Sequence, residues 1–237
     1  MYKNYVFDLY GTLVDIRTDE EPERLWRLTA DFYSEHGAAY TGRELRREYL
    51  RLCEEAQASS PEPYYEIELR EVFRALYAAK GVDPDGRLVD GAALFFRKAS
   101  TIKLRLYPWV SPVFRMLRER GAGIYLLSNA QACFTLPELR ELGLDRAFDG
   151  LVLSSDAGRR KPDPAIMRRL LDENRLEIRD CLMIGNDRTT DVAVAKSVGM
   201  DSLFIKTETS GPYDPDLTAT LELTDGDFTH LPALLGL

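Results

Sequence analysis

The chain has 237 residues, with 31 Lys and Arg against 39 Asp and Glu, a formal charge of −8 with both histidines neutral. Apolar residues make up 45% and charged residues 30%, enough to close a sizeable core and too balanced for a disordered or collagen-like chain. The acidic balance, with Arg and Lys interspersed among Glu, argues against nucleic-acid binding, because phosphate backbones are held by clustered cations.

The first element is a short apolar strand from Asn4 to Leu9, containing Asp8 and followed by the turn Tyr10-Gly11-Thr12. From about Asp19 to Lys103 the pattern is helical: Leu25, Leu28 and Phe32 share one helix face, as do Val72, Leu76 and Ala79. Thr41 with Glu44 forms a capping box, and Ser59-Ser60-Pro61 and Gly81 to Gly86 punctuate later helices, so about four helices are predicted. Beyond Pro108 strands and helices alternate. Strands are expected at Ile124 to Ser128, Leu151 to Ser154, Cys181 to Ile184, Ser202 to Ile205 and Thr220 to Leu223. Helices are expected at Ser111 to Arg120, Leu136 to Leu142, Asp163 to Glu173, Thr190 to Val198 and from Phe228.

This alternation predicts an α/β fold with a doubly wound parallel sheet, residues 1–15 and 105–237, and a smaller all-helical domain, residues 16–104, inserted after the first strand. Linkers near Asp15 to Thr18 and Lys103 to Pro108 would let the helical domain open and close over the sheet edge. No apolar run approaches the roughly 20 residues of a membrane span, and the start of the chain lacks a secretory pattern, so a cytoplasmic protein is expected, with no membrane partner. Cys53, Cys133 and Cys181 are too widely spaced for a zinc site and read as free thiols. His36 and His230 read as surface or capping residues. Cap aromatics such as Tyr49, Phe73 and Phe96 read as helix-bundle core.

In an open parallel sheet the ligand site lies beyond the carboxyl ends of the strands. Four segments map there: Asp8-Leu9-Tyr10-Gly11-Thr12, Ser128-Asn129, Lys161-Pro162-Asp163-Pro164, and Gly185-Asn186-Asp187 with Asp191. Alone, each has a plain explanation as a turn or a helix start. Together, and in this order, they gather carboxylates, a hydroxyl, an amide and a cation in one pocket.

With these segments the whole chain resembles the haloacid dehalogenase superfamily of hydrolases. The first motif is similar to Val6-Phe7-Asp8-Leu9-Tyr10-Gly11-Thr12-Leu13 and the second to Leu126-Leu127-Ser128-Asn129. The third is similar to Arg160-Lys161-Pro162-Asp163-Pro164 and the fourth to Met183 through Asp191. The helical insertion matches that family's cap. The resemblance implies that Asp8 is a nucleophile forming a covalent intermediate, with Ser128 on a substrate oxyanion and Lys161 joining Asp8 to the substrate anion. Thr12 would fix the loop, and Tyr10, Gly11, Asn129 and Arg27 would line the substrate. In the family's phosphatases Mg²⁺ is held by the nucleophile, by the carbonyl two residues on, here Tyr10, and by a fourth-motif acid, here Asp187 or Asp191, with Asn186 a further candidate.

Tyr10 departs from the phosphatases, which carry a second Asp there as a proton donor to the leaving group, help worth roughly 10² to 10⁴ in rate. Tyr in Asp-Leu-Tyr-Gly-Thr-Leu resembles the 2-haloacid dehalogenases, and Trp26-Arg27 with Tyr33 resembles their cap, where an Arg handles the halide. The fourth motif points back to phosphate, since three carboxylates near one another need a cation between them. The favoured expectation is therefore a Mg²⁺-dependent phosphatase of a small phosphorylated metabolite, as a monomer or homodimer. A metal-independent 2-haloacid dehalogenase and a non-catalytic ligand- or partner-binding module are the alternatives.

Overall fold

Strand residues that alternate between two apolar faces need cover on both. In β1 (Asn4–Phe7), Tyr5 and Phe7 point to one side of the sheet and Val6 to the other, and all three are buried. The computed structural model, which describes residues 2–237, sets β1 in a six-stranded parallel sheet. Two further strands flank the chain's long insertion, β2 (Val14–Thr18) and β3 (Thr101–Leu106). The remaining sheet strands are β4 (Gly123–Ser128), β5 (Gly150–Leu153), β6 (Cys181–Gly185), β7 (Asp201–Ile205) and β8 (Leu221–Leu223). Their order is β5-β4-β1-β6-β7-β8, with every neighbouring pair parallel.

The insertion holds α1 (Glu23–Glu35), α2 (Gly42–Ala58), α3 (Leu69–Ala78) and α4 (Gly86–Ser100). After it come α5 (Val110–Glu119), α6 (Ala132–Glu141), the single turn α7 (Ser154–Ala157), α8 (Pro164–Asn174), α9 (Ala193–Val198) and α10 (Leu231–Leu234). Val110, Val113 and Leu117 of α5, Leu139 of α6 and Leu231 of α10 cover the sheet face that carries Phe7. Ile166, Met167 and Leu170 of α8 with Val194 and Ala195 of α9 cover the Val6 face. The sheet is therefore doubly wound, and each fully buried Leu or Phe contributes about 1.5–3 kcal/mol to holding its layers together.

The four insertion helices share their own apolar cluster, including Trp26, Tyr33, Tyr49, Phe73, Leu76 and Phe96, into which α6 contributes Phe134. Trp26 and Tyr33 are core residues of this bundle. The Thr41 capping box forms as expected: Thr41 N donates to Glu44 Oε2 at 2.8 Å and Glu44 N to Thr41 Oγ1 at 3.3 Å.

Four expectations need correcting. The segments read as linkers, Asp15 to Thr18 and Lys103 to Pro108, are instead largely β2 and β3, an antiparallel ribbon that closes the root of the insertion. Their alternation of Ile16, Leu104 and Leu106 against Asp15, Lys103 and Arg105 is a strand pattern, and the pairing spans some ninety residues, beyond any local window. Asp15 takes Lys103 at 2.6 Å and Arg105 at 2.9 Å across it. The helical stretch thus ends at Ser100. Second, α6 begins at Ala132, four residues before the expected Leu136, with Pro137 inside it. Third, the last turn before α9, Arg188–Val192, is a wider π turn. Fourth, Ser154, expected at the end of a strand, instead starts the single turn α7. The three cysteines are free, Cys181 buried and the other two partly so. No helix among the described residues is long and apolar enough to cross a membrane.

Candidate active site

The strand order brings the ends of β1, β4 and β6 side by side, and the four sequence segments meet there. Asp8 follows β1 directly, its N–H donating to Ile184 O of β6 at 2.9 Å. The chain then turns tightly: Leu9 O accepts from the N–H groups of Thr12, Leu13 and Val14 at 3.2, 2.8 and 2.9 Å. Gly11 makes this possible with φ of +83°, and a Cβ there would lie 2.4 Å from Thr209 Oγ1 and 2.6 Å from Asn186 Nδ2. Only glycine meets both demands.

Asp8, Ser128, Lys161 and Asp191 form one buried polar cluster. The Lys161 ammonium donates to Asp8 Oδ1 at 2.7 Å, Leu127 O at 2.9 Å and Asp191 Oδ1 at 2.6 Å, so all three of its protons are engaged. Asp8 Oδ1 also accepts from Ser128 Oγ at 3.1 Å, and Asp8 Oδ2 from Thr12 Oγ1 at 3.2 Å. Burial by itself would pull the Lys161 pKa down, but the charges of Asp191 and Asp8 outweigh it and raise it above the ordinary lysine value, so the ammonium stays charged. Burial pushes the Asp191 carboxyl up to about 7 against the pull of Lys161, with the Asp8 charge adding to the rise.

The expected pocket of three carboxylates around a metal is corrected on this point. The cation between Asp8 and Asp191 is Lys161 itself, and among the described residues no group of three His, Cys, Asp or Glu is arranged to hold a metal. Asp191 Oδ2 accepts from Asp187 N at 3.0 Å, closing the fourth-motif turn. Asp187 turns its carboxylate the other way, capping that turn through Thr189 N and Oγ1, both at 2.7 Å, and so stands apart from Asp8. Asn186 does face the cluster. Its Nδ2 is anchored on Thr207 and Thr209 at 3.2 and 3.0 Å, which directs Oδ1 to Thr12 Oγ1 at 3.2 Å.

Thr12 therefore has one proton facing two acceptors, Asp8 Oδ2 and Asn186 Oδ1, and the Tyr10 carbonyl accepts no hydrogen bond among the described residues. This surplus of oxygen, only one atom of it from a carboxylate, suits a hard cation that keeps several waters.

Three more expected substrate-binding residues are placed differently. Asn129 donates Nδ2 to Lys161 O at 3.0 Å and accepts Lys161 N on Oδ1 at 2.7 Å, so its amide fastens the lysine backbone and is not turned to a substrate. Arg27 is exposed on the far side of α1, in a groove of about 620 Å³ with Thr41, Arg43 and Arg46, because the α1 face toward the core belongs to Trp26 and Tyr33. The Tyr10 side chain leans on α6: its hydroxyl bonds Glu138 Oε2 and lies 3.0 Å from Thr135 Oγ1. Arg97 of α4 pairs with that Glu138, Nε to Oε1 at 2.6 Å, and lies 5.5 Å from the Tyr10 ring centroid. Burial and the Glu138 charge drive the Tyr10 hydroxyl far above its ordinary pKa.

Sequence reading missed Arg97, Glu138, Thr207 and Thr209. Arg97 and Glu138 are charges set within otherwise buried helix stripes, Ala93-Phe96-Ser100 and Phe134-Thr135-Leu139, and that pattern was the available signal. The threonines carried none. Arg188, inside the fourth motif, is buried on Glu222 of β8 at 2.6 Å and braces that turn against the sheet.

A buried aspartate after the first strand, held by a serine at a later strand end and by a lysine just before α8, beneath a helical insertion, defines a hydrolase of the aspartate-centred α/β type. The family model for haloacid dehalogenase-like hydrolases matches residues 2–199, and the chain belongs to that family. It is 24% identical to a glyceraldehyde 3-phosphate phosphatase of Methanopyrus kandleri over 206 residues, covering 87% of this chain and 84% of that one. To a phosphoglycolate phosphatase of Cupriavidus necator it is 26% identical, covering 70% and 71%. A crystal structure of a 2-haloacid dehalogenase from Pseudomonas syringae shares the fold with a TM-score of 0.70 at 22% identity, covering 100% of this chain and 99% of that one.

Proposed function

We propose that this hydrolase is a Mg²⁺-dependent phosphatase of a small phosphorylated metabolite, with Asp8 as nucleophile and the insertion, residues 16–104, as a cap over the site. The observation that carries it is the Asp8 carboxylate, buried and oriented by Lys161 and Ser128 from two other segments and by Thr12 of its own loop. The relatives named as phosphatases support the phosphate ester as substrate class.

The Asp8 carboxylate attacks phosphorus; the new bond to the aspartate oxygen forms as the ester bond to the leaving alkoxide breaks, splitting one displacement into two. Lys161 holds the Asp8 carboxylate at one angle, and Ser128 is placed to donate to a phosphoryl oxygen once it moves off Asp8. Tyr10 gives its only proton to Glu138, so the alkoxide takes its proton from water, and water then cleaves the acyl phosphate to return Asp8. Mg²⁺, held by Asp8 Oδ2, the Tyr10 carbonyl and Asn186 Oδ1, would offset the repulsion between the carboxylate and the phosphate. Asp191 and Asp187 are engaged elsewhere and would stand outside that set.

The test is hydrolysis of p-nitrophenyl phosphate with Mg²⁺ and with EDTA, by the native protein and Asp8→Asn. Turnover lost with EDTA and in the variant is expected; turnover by Asp8→Asn at the native rate would refute the reading. One observation favours metal-independent dehalogenation as a second reading: the residue two after Asp8 is Tyr10, whose hydroxyl is tied to Glu138, and a halide leaves without needing a proton. Halide release from 2-chloropropionate, unaffected by EDTA, would establish it.

A further inference from the structure

Tyr10 sits two residues after Asp8, yet what surrounds its side chain comes from outside all four motifs. Glu138, on α6, is buried and accepts from the Tyr10 hydroxyl on one side and from the Arg97 guanidinium on the other, Nε to Oε1 at 2.6 Å and Nη2 to Oε2 at 3.4 Å. A carboxylate only accepts, so the tyrosine proton points to Glu138 and Thr135 completes the phenol oxygen at 3.0 Å. Arg97 belongs to the insertion. It lies four residues before β3, where the insertion rejoins the sheet domain, and its side chain is 12% exposed against 7% for Glu138. The guanidinium also lies over the rings of Tyr10 and Phe134 at 5.5 and 5.2 Å.

We propose that Glu138 is a positioning residue that ties the seating of the helical insertion to the geometry of the Asp8–Thr12 loop, with Arg97 as the contact from the insertion and Tyr10 as the link. The physical reason is the cost of separating a buried pair. If the insertion lifts and takes Arg97 away, Glu138 is left as a buried charge without its cation, so it must hydrate or turn, and the Tyr10 hydroxyl loses its fixed acceptor. Tyr10 lies inside the turn whose N–H groups converge on Leu9 O and next to Gly11, which Thr207 Oγ1 grips through its carbonyl at 2.8 Å. Displacing Tyr10 therefore disturbs the backbone that aims Asp8. A properly set loop and a seated insertion occur together.

The proposal rests on Asp8 as the reacting group, and its test is built so that the two can fail separately. Amide hydrogen exchange at Thr12, Leu13 and Val14 is measured in the native protein, Glu138→Gln and Arg97→Met, alongside p-nitrophenyl phosphate kinetics. Both variants should speed exchange at these amides by about tenfold, whereas the α8 amides keep native protection. Each should lower kcat about tenfold or more with KM held within about threefold, because misaiming costs rate rather than binding. Since Arg97 acts through Tyr10, adding Arg97→Met to Tyr10→Phe should cost less than about twofold further.

Unchanged exchange at the three amides in both variants would overturn the proposal, as would full additivity of Arg97→Met and Tyr10→Phe. If one variant does not fold, exchange in the other decides. If the native protein hydrolyses no p-nitrophenyl phosphate, the phosphatase reading fails for that ester, while the exchange result still rules on the coupling.

Discussion

Lys161 Nζ lies 2.7 Å from Asp8 Oδ1 with both side chains almost wholly buried. An ammonium so placed neutralises the carboxylate expected to react and, through its 2.6 Å contact with Asp191, keeps the two acids from repelling each other. Replacing it with Met leaves two buried carboxylates facing one another. The expected loss is about 3–5 kcal/mol of stability, the typical cost of breaking a buried pair, read by urea unfolding. Turnover should fall below detection in the fraction that remains folded.

Gly11→Ala tests the nucleophile loop. At φ +83° an L-residue costs about 1–2 kcal/mol, and the new Cβ meets Thr209 Oγ1 and Asn186 Nδ2 at distances real atoms avoid. A stability loss of about 2 kcal/mol or more is expected from denaturant midpoints, together with reduced activity as Asn186 is pushed from Thr12.

Asp15 gives the pH dependence a definite sign. Its hydrogen bond to Lys103, helped by the Arg105 contact and outweighing the opposing effect of burial, holds the carboxyl below the usual aspartate value in the folded state. A depressed folded pKa adds stability above the unfolded value of about 3.9, and that stability is lost as pH falls through the folded value. Because Lys103 and Arg105 are largely exposed and screened, Asp15→Asn should cost only about 0.5–1 kcal/mol at pH 7. The same variant should flatten the loss of stability below about pH 4 in acid titrations followed by circular dichroism.

Asn186 supplies a neutral oxygen where a carboxylate would bind a cation more tightly. Asn186→Asp should therefore strengthen Mg²⁺ binding by about tenfold or more, seen by calorimetry and as a larger Mg²⁺-dependent rise in melting temperature. Equal affinity in the two proteins would place the cation elsewhere.

Much of the α/β core was legible because its strands are short apolar runs bounded by Gly, Pro and Asp, and because caps such as Thr41 with Glu44 are local chemistry. The ribbon of Val14–Thr18 with Thr101–Leu106 was not, since its partners are separated by the whole insertion. At the site, the segments around Asp8 and Ser128 stood out because each ends a strand, and the one around Lys161 because Asp163 and Pro164 start a helix beside them; the parallel topology gathers all three at one sheet edge. What escaped was direction. Nothing in Asp187 or Asn129 says that one carboxylate would cap its own turn and the other side chain would fasten a lysine backbone. Arg97 and Glu138 drew no notice because charges on amphipathic helices usually face water, and only packing reveals that these two face each other.

The most direct test of the account is mass spectrometry of the Asp8 peptide from protein quenched in acid during turnover of p-nitrophenyl phosphate with Mg²⁺. One added phosphoryl group is expected on that peptide in the native protein and none in Asp8→Asn. Steady turnover with the Asp8 peptide unmodified, or undiminished turnover by Asp8→Asn, would contradict it.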